Sequence, residues 1–353
     1  MNAESQYKIC VSGNAPSIYP SDTFFGLLYY GRDEAIEIPK LYPYSGEWGQ
    51  ILSTQILERD TFPMPRVIFV VWLSIVEKKF YLLRDRLQYN KLESLWQQKD
   101  EKTQEALFTH LVVGMAPYGG VAIWASGNRK SVLEGWHQGE ETTVDMETFM
   151  GGDSQYSLEE YCDFYLNNDS GLKENYVQNG LPFRHLFDKY MQQFTYRYLY
   201  LFEHWDEKNN KWNKYEQDET TPSFNYIEEL LIDGTYDKLH DNGLLNYHQA
   251  GKPKKLSLKW QIKKSEYTAY FWFEDEVIQA IFDRFYGAHP ETKTDFMIRI
   301  DSDKNKYELA LYRYGLKEPQ VISESAYQLL VFKNKFEYYR SENYDQPKGA
   351  WIW

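Results

Sequence analysis

Two cysteines in 353 residues, Cys10 and Cys162, are too few for a disulfide framework. They allow one bridge in an oxidising compartment and otherwise read as ordinary free thiols. No apolar run approaches the roughly 20 residues that a helix needs to cross a bilayer, and the N-terminal MNAESQYKICVSG has no basic segment followed by an apolar one. As written, the chain is expected in the cytoplasm, or in the periplasm or on a lipid anchor if an export signal preceded it. Basic residues are also scarce. Lys and Arg number 39 against 52 Asp and Glu, a formal charge of -13, and phosphate backbones need clustered cations, so nucleic acid is an unsuitable partner.

The usual marks of catalysis are missing too. The seven histidines show no HxxxH or HExxH spacing, and His240 and His248 reach a metal geometry only by tertiary accident. Ser12-Gly13 and Ser126-Gly127 lack the Gly-x-Ser-x-Gly elbow, and no Walker loop or dinucleotide fingerprint occurs. Asp301-Ser302-Asp303-Lys304-Asn305 begins like a calcium loop. Lys306 and Tyr312 then stand where a Gly and a bidentate Glu are required, which leaves a polar hairpin turn. No catalytic residue, metal or cofactor is therefore expected. A hydrolase built on Glu77 and Glu266 would need the two carboxylates within about 5 to 10 Å in one cleft.

What the chain does contain is aromatic. Tyr, Phe and Trp number 31, 20 and 11, or 18% of residues, a composition suited to half-buried antiparallel sheets. It also contains an apparent repeat. Pro65, Ile68, Val70 and Trp72 line up with Pro253, Leu256, Leu258 and Trp260 at a constant offset of 188, and the helix motif Leu92, Leu95, Trp96 returns as Ile278, Ile281, Phe282. The expected fold class is α+β, with two related modules, each an aromatic-rich antiparallel β-sheet with packed helices. Module one spans 1–137, an acidic helical connection 138–194, and a divergent repeat 195–353.

In order, strands are expected at Tyr7–Ser12, Thr23–Tyr30, Ala35–Ile38, Val67–Ser74 and Lys79–Leu83, then a helix over Tyr89–Gln98 from the i, i+3, i+4 spacing of Leu92, Leu95 and Trp96. His110–Gly114 and Val121–Ala125 form a hairpin through APYGG, matched downstream by Phe296–Ile300 and Tyr307–Tyr312. Ser157-Leu-Glu-Glu160 is a capping box that starts a helix reaching about Leu166. Another helix is expected over Leu181–Phe194, and a hairpin at Tyr196–Phe202 and Lys211–Gln217. The final GAWIW reads as a closing strand or plug.

Between Ser131 and Leu172 there are ten carboxylates and no Lys or Arg, and Glu203–Asp241 carries a net charge of -7. A single-sign field of this kind favours encounter with a cationic protein surface. The candidate partner-binding residues are Glu140, Glu141, Asp145, Glu147, Asp153, Glu159, Glu160 and Asp163, with Trp205, Asp206, Glu207 and Trp212. The alternative is a carbohydrate- or cell-envelope-binding protein that uses Tyr42, Tyr44 and Trp48 as platforms.

Several motifs coincide with a known pattern: Ala15, Pro16, Tyr19, Pro20; Ile38-Pro39; Gly46-Glu-Trp-Gly49; Met64-Pro65; Trp72, Ser74, Glu77, Phe80, Tyr81; and Gly114, Ala116, Pro117, Gly119, Gly120, Trp124. Over about residues 7–137 the chain resembles the bacterial domain-of-unknown-function family 2931. Many members of that family look like lipoproteins, and members resemble small genes beside type VI secretion effectors. The resemblance implies an immunity protein that binds and blocks a toxin of its own cell, and it supplies no catalytic residues.

Overall fold

The computed structural model describes residues 5–40, 46–54, 61–100, 103–152, 156–168, 172–174, 180–181, 184–214, 222–240 and 246–345. It is mixed α and β structure dominated by sheet, and it divides into two compact units, Met1–Met191 with Asp233–Thr235 and Gln192–Ile232 with Tyr236–Trp353.

The first unit contains β1 (Cys10–Asn14), β2 (Ser21–Tyr29), β3 (Ala35–Glu37), β4 (Ser53–Thr54), β5 (Val67–Ser74), β6 (Lys79–Arg86), α1 (Tyr89–Trp96), β7 (His110–Met115), β8 (Gly120–Ser126), β9 (Ser131–Gln138), β10 (Glu140–Thr142), α2 (Met146–Met150), α3 (Leu158–Asn168) and α4 (Leu186–Tyr190). One sheet runs β3-β2-β5-β6-β10 and another β4-β1-β7-β8-β9. Alternation places Ile68, Val70 and Trp72 of β5 in one core with Leu111, Val113 and Met115 of β7, and α1 closes that core with Leu92, Leu95 and Trp96. The opposite faces of β7 and β8 are buried as well. Val112, Ala122 and Trp124 pack with Tyr161, Cys162 and Leu166 of α3 and with Leu186 and Phe187 of α4. Tyr161, Cys162, Leu166, Leu186, Phe187 and Met191 are therefore members of the first unit's core, where the sequence suggested a connection. Both cysteines are free, and Cys162 is buried.

The second unit contains β11 (Phe194–Asp206), β12 (Lys211–Lys214), β13 (Ser223–Leu231), β14 (Tyr236–His240), β15 (His248–Ala250), β16 (Pro253–Ile262), β17 (Ser265–Phe273), α5 (Asp275–Tyr286), β18 (Thr294–Asp301), β19 (Lys306–Arg313), β20 (Gln320–Ile322), β21 (Tyr327–Lys333) and β22 (Phe336–Arg340). Its strands follow the orders β14-β13-β16-β17-β21-β22 and β12-β11-β18-β19-β20, with β15 also on β11. The apolar stripe of α5, Ile278, Ile281, Phe282 and Phe285, is buried, and Phe282 meets Phe194 and Phe296 at ring-centroid distances of 5.2 and 6.5 Å.

Three expectations are corrected. The sheets are not purely antiparallel: β1 pairs β7 and β11 pairs β18 in parallel. A parallel neighbour needs a long crossover, and the intervening chain supplies it by building the other sheet. Ser131–Gln138 and Ser223–Leu231, read as acidic segments, are strands. Of the helix expected over 181–194, the described helical part is Leu186–Tyr190, and Phe194 already begins β11. GAWIW lies outside the described residues.

The motif glycines have a packing reason. A Cβ on Gly114 would lie 2.6 Å from the Trp124 ring and 2.8 Å from that of Trp48, and these two indoles meet edge to face at 4.8 Å. Gly114→Ala should therefore cost about 1 to 3 kcal/mol by overpacking. Trp72→Ala should cost about 3 to 5 kcal/mol, since that side chain is fully buried. Urea midpoints with unchanged m-values measure both.

Candidate functional site

The acidic stretch of the first unit does more structural work than its composition suggests. Glu134 is 1% exposed. It accepts the Gln88 amide N–H at 2.5 Å and lies 3.3 Å from His137, whose other ring nitrogen is 2.8 Å from Asp85. Burial alone would lower the His137 pKa, but the two flanking carboxylates outweigh it and hold it above its ordinary value. Asp145 caps α2 by accepting the Glu147 and Thr148 amides, both at 3.0 Å. The expected capping box is present: Ser157 Oγ accepts from the Glu160 amide at 3.2 Å, and Glu160 accepts from the Ser157 amide at 2.8 Å.

Three further carboxylates face lysines. Lys79 meets Glu141 at 2.7 Å, and Lys78 reaches Asp163 at 2.7 Å and Glu159 at 3.5 Å. Glu140 and Glu147 are exposed, and Asp153 lies outside the described residues. Close in sequence to these carboxylates are Met150, Tyr156 and Phe164, which are 41%, 54% and 55% exposed. On α3, Tyr161, Cys162 and Leu166 turn inward. Helical spacing therefore places Glu160 and Phe164 together on the outward face.

The second group of candidate residues belongs to the other unit. Trp205 and Trp212 are cross-strand partners on β11 and β12, with ring centroids 5.2 Å apart. Asp206 closes their hairpin by accepting from the Lys208 and Asn209 amides at 3.0 and 3.2 Å. Glu207 lies 3.9 Å from Lys304. Both indoles are half-buried, so this pair is a stiff hairpin surface. Of the candidate residues, Glu159 and Asp163 are joined through Lys78, and Trp205 and Trp212 through their facing rings.

Trp48 corrects the platform reading. It is 7% exposed and packed on Trp124 and Phe187, so it is core rather than ligand surface, while Tyr42 and Tyr44 lie outside the described residues. Glu77 holds a turn. It accepts from the Tyr81 hydroxyl at 2.7 Å and from the Tyr118 amide at 2.8 Å, while Glu266 pairs with Lys259 at 2.8 Å.

Among the described residues, one group places possible metal-ligating atoms within 4.8 Å of one another: His204, Asp301 and Asp303. The Asp301 carboxylate already accepts from the amides of Trp205, Asp303 and Lys304, which makes it the organiser of the β18–β19 turn. That agrees with the polar-hairpin reading.

Sequence reasoning missed Asp22. Its carboxylate, 6% exposed, accepts the Tyr161 hydroxyl at 2.5 Å across 139 residues and so ties α3 to β2. No local signal announces such a pair. Burial raises the Asp22 pKa to about 6, partly opposed by the tyrosine and by Lys40. A raised folded-state value stabilises the protein fully below the unfolded value near 3.8, and that contribution is lost as pH rises through about 6. The stability of the wild type relative to Asp22→Asn should accordingly fall by about 2 kcal/mol from pH 4.5 to pH 7.5, read from denaturant melts at each pH.

The comparisons with known proteins are brief. Residues 10–183 match the model of a family described as protein of unknown function (DUF2931). No curated protein matches the chain, and no solved structure does. The matched segment falls within the first unit and takes in the acidic stretch up to residue 183.

Proposed function

The chain belongs to the DUF2931 family of proteins of unknown function, and from that premise we propose that it works by binding rather than by catalysis, as a bacterial immunity protein that neutralises a cognate secreted toxin of the type VI class. The observation that carries this reading is the exposure of Met150, Tyr156 and Phe164, each close in sequence to carboxylates of α2 and α3. Exposed aromatic and Met side chains are enriched at protein interfaces, and a surrounding negative field selects a basic partner and speeds its approach. The face is also held firmly. Lys78 clamps Glu159 and Asp163, and the Asp22–Tyr161 bond anchors the helix from beneath, so little ordering entropy is lost on docking. Among the described residues no helix is long and apolar enough to cross a membrane.

We further propose that the two units descend from one duplicated module. Supporting this, both place the parallel partner of their first strand after the helix, and the order β3-β2-β5-β6-β10 has its counterpart in β14-β13-β16-β17-β21. In β2 the register shifts between Thr23 and Phe25, opposite Trp72 and Val71. In β13 it shifts between Phe224 and Tyr226, opposite Trp260 and Lys259. The same one-residue irregularity beside the same tryptophan is a specific coincidence, because a bulge is a built feature of a strand. On this alignment the counterpart of β2–β3 is β13–β14, not the hairpin β11–β12.

The test is calorimetric titration with the purified, inactivated product of the adjacent gene. Nanomolar binding that weakens as salt rises is expected. Phe164→Ala with Met150→Ala should weaken it at least tenfold, about 1.4 kcal/mol, while leaving the melting temperature within a degree or two. Full affinity in that folded variant would remove this face as the binding site.

A further inference from the structure

At one edge of the first unit its two sheets are tied together through His137 of β9, a residue 8% exposed. Its Nδ1 lies 2.8 Å from Asp85 Oδ2 on β6, a strand of the other sheet. Its Nε2 lies 3.3 Å from Glu134 Oε2 on its own strand. Regular alternation would put residues 134 and 137 on opposite faces of β9. The register of β9 against β8 shifts by one residue at Glu134, between Leu133 and Gly135, and that bulge brings the two side chains to one face. Gly135 leaves room for them, since a Cβ there would lie 3.2 Å from His137 Nε2 and 3.1 Å from Gln88 Nε2.

Both ring nitrogens face carboxylate oxygens, and this fixes the proton count. A neutral imidazole carries one N–H, so one carboxylate would face a lone pair; imidazolium donates to both. Glu134 is 1% exposed, and a carboxylate so buried is tolerated where a cation meets it. Two other cations stand near and are engaged differently. Lys91 of α1 donates to the Leu133 and Glu134 carbonyls at 2.9 and 3.0 Å, and Arg86, beside Asp85 on β6, donates its backbone amide to that carboxylate at 2.7 Å. Strand β8, whose Val121 is paired with His137, carries no charged residue. Glu134 also holds the entry to α1, accepting the Gln88 amide on its carboxylate and the Gln88 side chain on its carbonyl at 2.8 Å. The hydrogen bond from His137 correspondingly holds Asp85 below the ordinary carboxylate range.

We propose that His137 is a proton-dependent clamp between the two sheets of the first unit: charged, it ties β6 to β9 and to the start of α1, and neutral, it releases one of its two carboxylates and loosens this edge. The clamp sits where the chain changes sheets, because β9 ends at Gln138 and β10 begins at Glu140, paired with Leu82 of β6. Folding raises the His137 pKa, the two carboxylates outweighing burial. Its stabilisation is therefore complete below the ordinary value of 6.5 and is lost as pH rises through the folded value. The clamp is independent of the partner reading above.

The test follows His137 in the full chain by long-range proton–nitrogen NMR from about pH 5.5 to about pH 8.5, with denaturant melts and the exchange protection of the Gln88 amide over the same interval. Protons on both ring nitrogens are expected below pH 6.5, with a titration midpoint above 6.5. Asp85→Asn, at a half-exposed position, should keep the fold and lower that midpoint by about one unit. The stability difference between wild type and His137→Gln should shrink as pH rises through the midpoint, and it cancels Asp22, which both proteins share. Gln88 protection, corrected for the intrinsic exchange rate, should fall about tenfold over the same interval. A histidine that only fills space would give a difference that does not change with pH. That constant difference, a single neutral tautomer below pH 6.5, a midpoint unmoved in Asp85→Asn, or Gln88 protection that ignores the titration would each overturn the proposal.

Discussion

Each unit depends on burying an indole in the middle of a sheet. Trp72 and Trp260 are fully buried on β5 and β16, and each lies against the tyrosine opposite it on the next strand, Tyr81 at 5.6 Å and Tyr267 at 5.4 Å. The strand on the other side of each carries a one-residue shift in register, at Phe24 in one unit and Asn225 in the other. Close approach elsewhere then becomes obligatory. A Cβ on Gly139 would come within 2.8 Å of the Trp72 ring, and Gly119, at φ +81°, receives the Gly139 amide on its carbonyl at 2.7 Å. The family motif residues Trp72, Glu77, Tyr81, Pro117 and Gly119 converge on this point, and their pattern is explained by packing before any function is invoked.

The same principle reinterprets the acidic stretch. Counted along the sequence, its carboxylates form an unbroken negative run. Counted in space, one is buried against a histidine, two cap helices and three meet lysines of β6 or the turn before it. What is left exposed among the described residues is smaller: Glu140 and Glu147, with Met150, Tyr156 and Phe164. Such a surface suits a protein partner better than bulk charge does, because affinity concentrates in buried aromatic anchors while charge sets encounter and selectivity.

The paired strand orders also account for the difference in how the two units look along the chain. In the first, the crossover from β1 to β7 passes through β2, β5, β6 and α1, and the sheet is then extended by β9. In the second, the equivalent edge ends in the short β20, and the β21–β22 hairpin brings Tyr327 and Tyr339 over β19.

The sequence by itself determined the local elements. A long apolar run placed β5, its repeat at an offset of 188 pointed to β16, i, i+3, i+4 spacing placed α1 and α5, and Ser157–Glu160 announced the start of α3. These signals are readable because each depends on neighbours within a few residues, where periodicity maps directly onto burial. Only the tertiary structure decided which polar groups would be buried and with whom. Strand β13 was hidden because Glu228 and Glu229 read as solvated. In the fold Glu228 meets Lys238 at 2.6 Å across the hairpin, and Glu229 accepts the Tyr198 hydroxyl at 2.5 Å from 31 residues away. Asp22 with Tyr161, Glu134 with His137 and Asp85, and the parallel pairs β1–β7 and β11–β18 belong to the same class. A buried charge is tolerated only where a specific partner offsets its desolvation, and that partner is supplied by the fold, at a distance along the chain that no local pattern records.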